Sequence, residues 1–218
     1  MKNIIDLNDK KINLVKKKMN GSKPWEPIII SDNLNWSEFS RLNLFLHELP
    51  GAKPIVSIAR HYPQKNNFSH VIGYVSDVSN KDLNENIYLR EFRVPGLKVG
   101  KNGLEKSFNN DLMGSTGLHR YEVNAYGKKI KEIYFADGQI GKNYKTTLDS
   151  EVQAYSAELM KDKSGSICVM DIFNGDMVAM VSSPSFDPNL FVHGISRKNW
   201  NQLLSNKMKP LLNKSVSA

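Results

Sequence analysis

The clearest structural signal in the chain is the segment SICVMDIFNGDMVAMVSS at residues 166–183. Two apolar runs flank Asn174-Gly175, the pair favoured in two-residue type I′ turns because both central positions need a positive φ. The runs therefore predict an antiparallel hairpin over residues 166–182. Both runs are apolar at nearly every position, so we expect each face of the hairpin to be covered. The polar stretch that follows, to Ala218, is too short to cover them. We interpret the hairpin as the opening of a larger domain that this chain does not contain.

A helix is predicted immediately before the hairpin, over residues 149–163. Asp149 is placed to cap its first turn, and Lys161, Lys163 and Gly165 are typical of its end. We expect one apolar stripe of this helix to face the core: Val152, Tyr155, Leu159 and Met160.

Farther upstream, helical and strand patterns alternate. Asn35 and Glu38 form a capping box before an apolar stripe that we assign to the core: Trp36, Phe39, Leu42, Leu46 and Leu49. Shorter helices are predicted over 79–87 and within 100–117, the latter with Leu104, Phe108 and Leu112 on one face and a stop at Gly114. Strands are predicted at 25–30, 55–58, 70–75, 121–125 and 130–135. The last two read as an antiparallel pair with one dry face.

Composition and charge exclude several classes of protein. The 218 residues are 40% hydrophobic and 24% charged, which is ordinary for a globular chain. The single cysteine, Cys168, excludes a disulfide framework. No apolar run approaches the about eighteen residues of a membrane helix, and the N-terminus has no hydrophobic stretch of signal-peptide length.

The net charge of +8 is unevenly distributed. Residues 1–24 hold seven lysines and two acids, whereas the rest of the chain holds 23 cationic and 20 acidic residues. A lysine-rich leading segment can bind nucleic acid or an anionic surface. We interpret it as a solvated segment, because no aromatic residue precedes Trp25 to stack on bases.

No group of residues forms a complete catalytic or metal site. The histidines are scattered without ligand spacing: His47, His61, His70, His119 and His193. Asp187-Pro188-Asn189 is interpreted as a rigid turn rather than an acid/base site. Two triplets match the S-D-N and K-[ST]-G patterns of penicillin-recognising enzymes: Ser31-Asp32-Asn33 and Lys163-Ser164-Gly165. We regard both as chance, because no serine has a lysine three residues later. We assign no catalytic, cofactor-binding or metal-binding residue.

Ordered motifs nevertheless carry a family resemblance. Five motifs resemble the non-catalytic pedestal of class B penicillin-binding proteins: Arg60-His61-Tyr62-Pro63, HVIGYV at 70–75, GKNGLEK at 100–106, Leu112-Met113-Gly114 with Gly117, and Glu122-Val123-Asn124 with Gly127. Others resemble the start of the transpeptidase domain: Thr147-Leu148-Asp149 with Gln153, Val169-Met170-Asp171 with Asn174-Gly175, and residues 179–191. The segments DPNLF at 187–191, Gly194-Ile195-Ser196, Trp200 and 210–214 are similar to the elongation-type branch.

The resemblance implies an α+β chain with a pedestal (dimerisation-domain) fold followed by an incomplete transpeptidase domain. We predict a lysine-rich leading segment at 1–24, a pedestal at 25–147 and the beginning of the transpeptidase domain at 148–218, truncated before the S-x-x-K motif. Such a family member is a peptidoglycan D,D-transpeptidase that crosslinks stem peptides through an acyl-serine and is acylated by β-lactams. This chain would supply the scaffold and docking part. Without the nucleophile, it is predicted to be inactive and not to react with a fluorescent penicillin.

The resemblance also implies partners and a location. The implied partners are the membrane glycosyltransferase of the elongation complex and its scaffold proteins, with stem peptides and β-lactams bound only by the full-length form. Nucleic acid and cofactors are not expected, and dimer formation is left open. The implied location is the periplasmic face of the bacterial inner membrane.

Two alternatives remain: a stand-alone, non-catalytic scaffold of the elongation complex, and a basic nucleic-acid-binding protein whose affinity would fall steeply with salt. Since the hairpin would lack partners, the sequence predicts that residues 148–218 are protease-sensitive and that residues 25–147 resist.

Overall fold

The computed structural model describes residues 5, 7–22, 27–56, 58–86, 89, 96–115, 117–125 and 129–217. The chain divides into two compact units. Unit 1 comprises Met1–Ala59, Arg93–Gly96 and Gly117–Asp137, and unit 2 comprises Arg60–Phe92, Leu97–Thr116 and Gly138–Ala218. Helices and short antiparallel strands occur together, which confirms the α+β class. Across the described residues, no helix is both long and apolar enough to span a bilayer.

The helices are α1 (Asp9–Gly21), α2 (Trp36–Leu44), α3 (Ser69–Ile72), α4 (Asn80–Glu85), α5 (Gly103–Ser107), α6 (Asn109–Met113), α7 (Ser150–Leu159), α8 (Asn189–Val192) and α9 (Arg197–Ser205). The strands are β1 (Val75–Asp77), β2 (Lys98–Gly100), β3 (Leu118–Val123), β4 (Lys129–Ala136), β5 (Gly165–Met170) and β6 (Met177–Ser183). They form three antiparallel pairs, β1–β2, β3–β4 and β5–β6.

The predicted capping box of α2 is present in unit 1. The Glu38 amide donates to Asn35 Oδ1 and the Asn35 amide donates to a Glu38 carboxylate oxygen, both at 2.9 Å. The assignment of its apolar stripe to the core was wrong for Trp36, which is 80% exposed, whereas Leu42 is buried. Capping depends on residues three positions apart, but burial needs a second element over the whole stripe, and α2 mainly contacts the 3₁₀ turn Leu46–Glu48.

The antiparallel pair β3–β4 also forms, but the predicted dry face does not. Val123, Ile130 and Ile133 are 44%, 63% and 64% exposed. The pairing register shifts at Arg120/Tyr121 and again at Glu122/Val123. Each irregularity breaks the period-two alternation that would keep apolar side chains on one face. We call this pair the β3–β4 ribbon.

Two other strand predictions in unit 1 were wrong. Ile55, Val56 and Ile58 are in no strand and are 73%, 84% and 92% exposed. Trp25 and Glu26 lie outside the described residues, and residues 27–30 form no strand. Apolar runs form strands only where a second strand supplies a hydrogen-bonding ladder, and none pairs with these segments in the described chain.

In unit 2, the strand predicted at 70–75 is mostly helical. Residues 69–72 form α3, Gly73 turns the chain with a φ of +83°, and β1 begins only at Val75. The positive φ ends the helix and separates it from the strand. The short helix predicted over 79–87 forms as α4, and Ser79 caps it. The helix predicted within 100–117 is instead split into α5 and α6 at Phe108, and it ends before Gly114 as expected.

The hairpin at the end of unit 2 forms with a different loop. Strands β5 and β6 pair, but the Asp171 amide donates to the Asp176 carbonyl at 2.9 Å and closes a longer loop than the predicted two-residue turn. Gly175 has a φ of +79°, whereas Asn174 has no positive φ, so a type I′ turn is not formed. Cys168 is exposed, and so are its neighbours on the same face of β5. The expectation that both faces are covered therefore fails on this face.

Candidate scaffold site

Side chains from four separate sequence motifs make long-range hydrogen bonds or ion pairs within unit 2. We call this group the joint cluster; it consists of Arg60, Tyr62, Glu105, Gln153 and Asn189. Arg60 and Tyr62 precede α3, Glu105 belongs to α5, Gln153 to α7 and Asn189 to α8. The cluster brings together stretches that are far apart in the sequence and that the sequence analysis assigned to two different domains.

Glu105 is the buried charge of the joint cluster, with a relative exposure of 4%. Its Oε1 lies 2.8 Å from Arg60 Nε, and its Oε2 accepts a hydrogen bond from Arg60 Nη2 at 3.2 Å. The Tyr62 hydroxyl donates to Oε1 at 3.1 Å and itself accepts from the Val75 amide at 3.0 Å. The carboxylate is thus paired and hydrogen-bonded, the conditions under which burial of a charge is tolerated.

The environment of Tyr62 keeps its hydroxyl protonated. Burial raises the pKa of this phenol, and the nearby negative charge of Glu105 raises it further. Both effects penalise the phenolate. Tyr62 therefore remains a hydrogen-bond donor to Glu105 at every physiological pH.

Asn189 clamps the backbone of Tyr62. Its Oδ1 accepts from the Tyr62 amide at 3.0 Å, and its Nδ2 donates to the Tyr62 carbonyl at 2.9 Å. Asp187 Oδ1 in turn accepts from the Asn189 amide at 2.9 Å and from Nδ2 at 2.8 Å. The segment at 187–189 thus forms a turn, as interpreted from the sequence, and this turn orients an amide that holds a residue 127 positions away.

Gln153 binds backbone groups of the hairpin as Asn189 binds the backbone of Tyr62. Its side chain is completely buried. Nε2 donates to the Asn67 carbonyl at 2.7 Å and to the Met180 carbonyl at 2.9 Å, while Oε1 accepts from the Met180 amide at 2.7 Å. The amide therefore pairs with the outer edge of β6 as a neighbouring strand would.

The face that α7 buries is not the predicted one. Gln153 and Ser156 are buried, whereas Tyr155 and Leu159 of the predicted apolar stripe are 67% and 48% exposed. The polar backbone edge of β6 needs hydrogen-bond partners, and Gln153 supplies them. The predicted cap is correct, because Asp149 accepts from the amides of Glu151 and Val152.

His70, in α3 of unit 2, is a buried histidine. Its ring meets Phe186 edge-on with centroids 5.3 Å apart, and its Nε2 has no hydrogen-bond partner within the described chain. Burial lowers the pKa of His70, and the carbonyls of Pro184 and Pro210 oppose this shift less strongly. The ring is therefore held in its neutral form.

The remaining sequence candidates are not brought together. His47 and His119 belong to unit 1, and His61 and His193 belong to unit 2. In the part of the chain that the structure describes, no three potential metal ligands cluster. The triplets at 31–33 and 163–165 belong to different units.

The joint cluster holds backbone groups of distant segments in place. Asn189 and Gln153 bind the backbone of Tyr62, Asn67 and Met180, and Glu105 pairs with Arg60 and accepts from the Tyr62 hydroxyl. Sequence reasoning from periodicity missed Glu105 and Gln153, because a buried polar residue leaves no periodic signal. Only the motif resemblance included them, Glu105 within GKNGLEK at 100–106 and Gln153 with Thr147-Leu148-Asp149. The arrangement is that of a structural joint.

A comparison with known protein families shows which family the chain belongs to. A family model described as the Penicillin-binding Protein dimerisation domain matches residues 1–146. The chain belongs to this family. The resemblance to class B penicillin-binding proteins of the elongation type, and to their pedestal fold, is thereby confirmed.

Curated relatives of this penicillin-binding protein family include peptidoglycan D,D-transpeptidase MrdA of Escherichia coli K12, 33% identical over 219 residues, which is 99% of this chain and 34% of that protein. The protein of the same name from Haemophilus influenzae is 30% identical over 98% of this chain and 33% of its own length. The chain thus spans about a third of the length of the curated relatives it matches.

Solved structures of penicillin-binding proteins also match this chain. Penicillin-binding protein PBP2 from Helicobacter pylori, in a complex with MreC, matches 95% of this chain and 42% of its own with a TM-score of 0.72 and 26% identity. PBP2 from Pseudomonas aeruginosa, in complex with WCK 5153, matches 74% of this chain and 31% of its own with a TM-score of 0.59 and 29% identity.

Proposed function

We propose that this chain is the scaffold and docking part of penicillin-binding protein 2, the elongation-type peptidoglycan D,D-transpeptidase. The observation that carries the proposal is the likeness to the Helicobacter pylori PBP2 structure over 95% of this chain. In this role, residues 25–147 form the pedestal and residues 148–218 begin the transpeptidase domain. The joint cluster supports the proposal, since it holds segments from both stretches in one compact unit.

The chemistry of the whole protein belongs to the same proposal. A transpeptidase of this type crosslinks peptidoglycan stem peptides through an acyl-serine and is acylated by β-lactams. The 218 residues contain no S-x-x-K motif, so we expect this chain to contribute positioning and docking, not the nucleophile. The proposed location is the periplasmic face of the inner membrane.

We assign the docking surface to the β3–β4 ribbon. Ile130, Ile133, Tyr134 and Phe135 are all about half exposed or more. A cluster of exposed apolar side chains on a two-stranded ribbon is typical of a protein–protein interface, because such a ribbon is marginally stable by itself. The proposed partner is an MreC-like scaffold protein, since the solved PBP2 relative was captured with MreC. The membrane glycosyltransferase is a second proposed partner.

Binding of the purified chain to the purified MreC-like protein of the same organism tests this assignment. The Ile133→Asp substitution places a charge in the middle of β4, and we expect it to raise the dissociation constant at least about tenfold. Ile172→Asp is the matched control, because Ile172 is 87% exposed in the β5–β6 loop of unit 2. Isothermal titration calorimetry gives both constants.

Equal affinities for the Ile133 and Ile172 variants would exclude the ribbon as the docking surface. No binding by the unsubstituted chain would contradict the docking role itself.

A further inference from the structure

Unit 2 contains an open groove that is separate from the joint cluster. Its volume is about 490 Å³, and its lining includes Tyr74, directly before β1, and residues of β1, α8 and α9: Ser76, Asp77, Phe191, Arg197 and Trp200. Pockets of this size that combine apolar walls with a few polar groups are typical of ligand sites. Neither the scaffold role nor the proposed partner uses this groove.

The aromatic wall of the groove is preformed. The rings of Tyr74 and Phe191 stack with centroids 4.0 Å apart, and Trp200 meets Phe191 edge-on at 6.3 Å. Phe191 is 4% exposed, and Tyr74 packs against the buried cluster of Tyr62, Val75 and Val192. A ligand would therefore bind without first ordering these side chains. The electron-rich ring faces attract the partially positive C–H groups on the apolar face of a sugar ring.

The charges of the groove favour an anionic group on the ligand. Asp77 is already paired with Lys98, at 2.6 Å. Arg197 also lines the groove, and it has no ion pair or hydrogen bond within the described chain. Residues 193–217 contain five cationic residues and no acidic residue. A guanidinium without a protein partner is suited to bidentate recognition of a carboxylate.

We propose that this groove binds an uncrosslinked peptidoglycan strand. One sugar ring lies against Tyr74 and Trp200, and a carboxylate of the attached peptide binds Arg197. The choice of a glycan that bears carboxylates rests on the proposed function. A nucleic acid fits this groove less well. Its affinity depends on contacts between several cations and several phosphates, whereas Arg197 is the one cationic residue that lines the groove among the described residues.

Binding of two soluble probes to the full chain tests the site. The first is the disaccharide N-acetylglucosamine–N-acetylmuramic acid with its pentapeptide, and the second is an uncharged N-acetylglucosamine tetramer. We expect Arg197→Gln to weaken binding of the disaccharide peptide about tenfold, as for loss of a charged hydrogen bond, and to leave the tetramer unchanged. Trp200→Ala should weaken binding of both probes.

Matched controls remove a charge or an apolar side chain from the same helix outside the groove. Lys198→Gln and Leu204→Ala are both at exposed positions of α9, and we expect them to bind both probes as the unsubstituted chain does. Circular dichroism verifies that each variant is folded.

Two results would overturn the site: no binding of either probe at millimolar concentration, or equal effects of Arg197→Gln and Lys198→Gln on the disaccharide peptide. Binding of the MreC-like protein by the same variants separates the two proposals. If the chain binds the MreC-like protein but neither glycan probe, only the groove proposal is rejected. If the unsubstituted chain does not bind the MreC-like protein, the docking role is rejected.

Discussion

At the scale of single residues, long-range order in unit 2 depends on side-chain amides and carboxylates that bind backbone groups. Asn189 holds the backbone of Tyr62, Gln153 holds Asn67 and Met180, and Glu105 holds Arg60 and the Tyr62 hydroxyl. Backbone groups need partners when they are buried, and the two amide side chains each supply two or more. One substitution can therefore release several buried groups at once.

Gln153→Ala should lower the free energy of unfolding by about 2–4 kcal/mol, because it leaves the carbonyls of Asn67 and Met180 and the Met180 amide without this partner. Gln202→Ala is the control, since Gln202 is exposed in α9 and should change stability by less than about 0.5 kcal/mol. Urea unfolding followed by circular dichroism measures both. A loss at Gln153 no larger than at Gln202 would show that the amide is not structural.

The pKa of His70 predicts a pH dependence of stability. Folding lowers this pKa from its ordinary value of 6.5, so the unfolded chain binds the proton more readily. Stability is therefore unaffected above about pH 6.5 and falls as the pH decreases below it, by at most about 1.4 kcal/mol for each pH unit.

Urea unfolding between pH 7.5 and 5.5 measures this slope. His70→Gln should flatten it, whereas His61→Gln, at an exposed position of the same unit, should not. An unchanged slope in the His70 variant would assign the pH dependence to other groups.

At the scale of elements, close backbone approach determines where unit 2 turns. A Cβ on Gly73 would lie 2.0 Å from the Asn102 carbonyl oxygen, and the residue has a φ of +83°. The Tyr74 amide, directly after it, donates to Asn102 Oδ1 at 3.1 Å. Glycine at this position therefore allows the end of α3 to pack against the start of α5.

Gly73→Ala should cost at least about 3 kcal/mol, since it combines a positive φ with a clash against rigid backbone. Gly175→Ala separates the two effects, because Gly175 has a φ of +79° but no atom within 4 Å of the added Cβ. We expect about 1 kcal/mol for this control. Thermal unfolding compares the two variants, and equal losses would mean that the chain relaxes around the methyl group added at position 73.

At the scale of the whole molecule, the contacts of unit 2 change the expected pattern of proteolysis. The sequence alone predicts cleavage in residues 148–218 and protection of 25–147. In the structure, Gln153 and Asn189 bind backbone groups of Asn67 and Tyr62, within the same compact unit. Local opening requires those contacts to break.

We therefore expect limited trypsin digestion to remove the lysine-rich leading segment first and to leave a fragment that contains residues 60–170. Peptide mapping by mass spectrometry identifies the boundaries. A stable fragment that ends near residue 147 would support the expectation from the sequence and contradict the packing argument.

The features that could be predicted from the sequence are those that depend on neighbouring residues. Local patterns agree with the structure at the helix ends, because a cap is completed within three or four positions. These ends are the N-caps at Asn35, Ser79 and Asp149 and the helix stop at Gly114. The hairpin strands were found for the same reason. The loop between them was not, because the type I′ preference of Asn174-Gly175 yields to the hydrogen bond between Asp171 and Asp176.

The amino-acid sequence by itself determined that the capped segments are helices and that residues 166–182 form a hairpin. Its ordered motifs also determined that the chain belongs to the penicillin-binding protein family. The tertiary structure alone decided which faces are buried: polar Gln153 inside and apolar Trp36, Tyr155 and Ile133 outside. The physical reason is that burial depends on which distant segment covers a face. A buried backbone edge selects an amide that can hydrogen-bond to it, whatever the apolar periodicity of the helix.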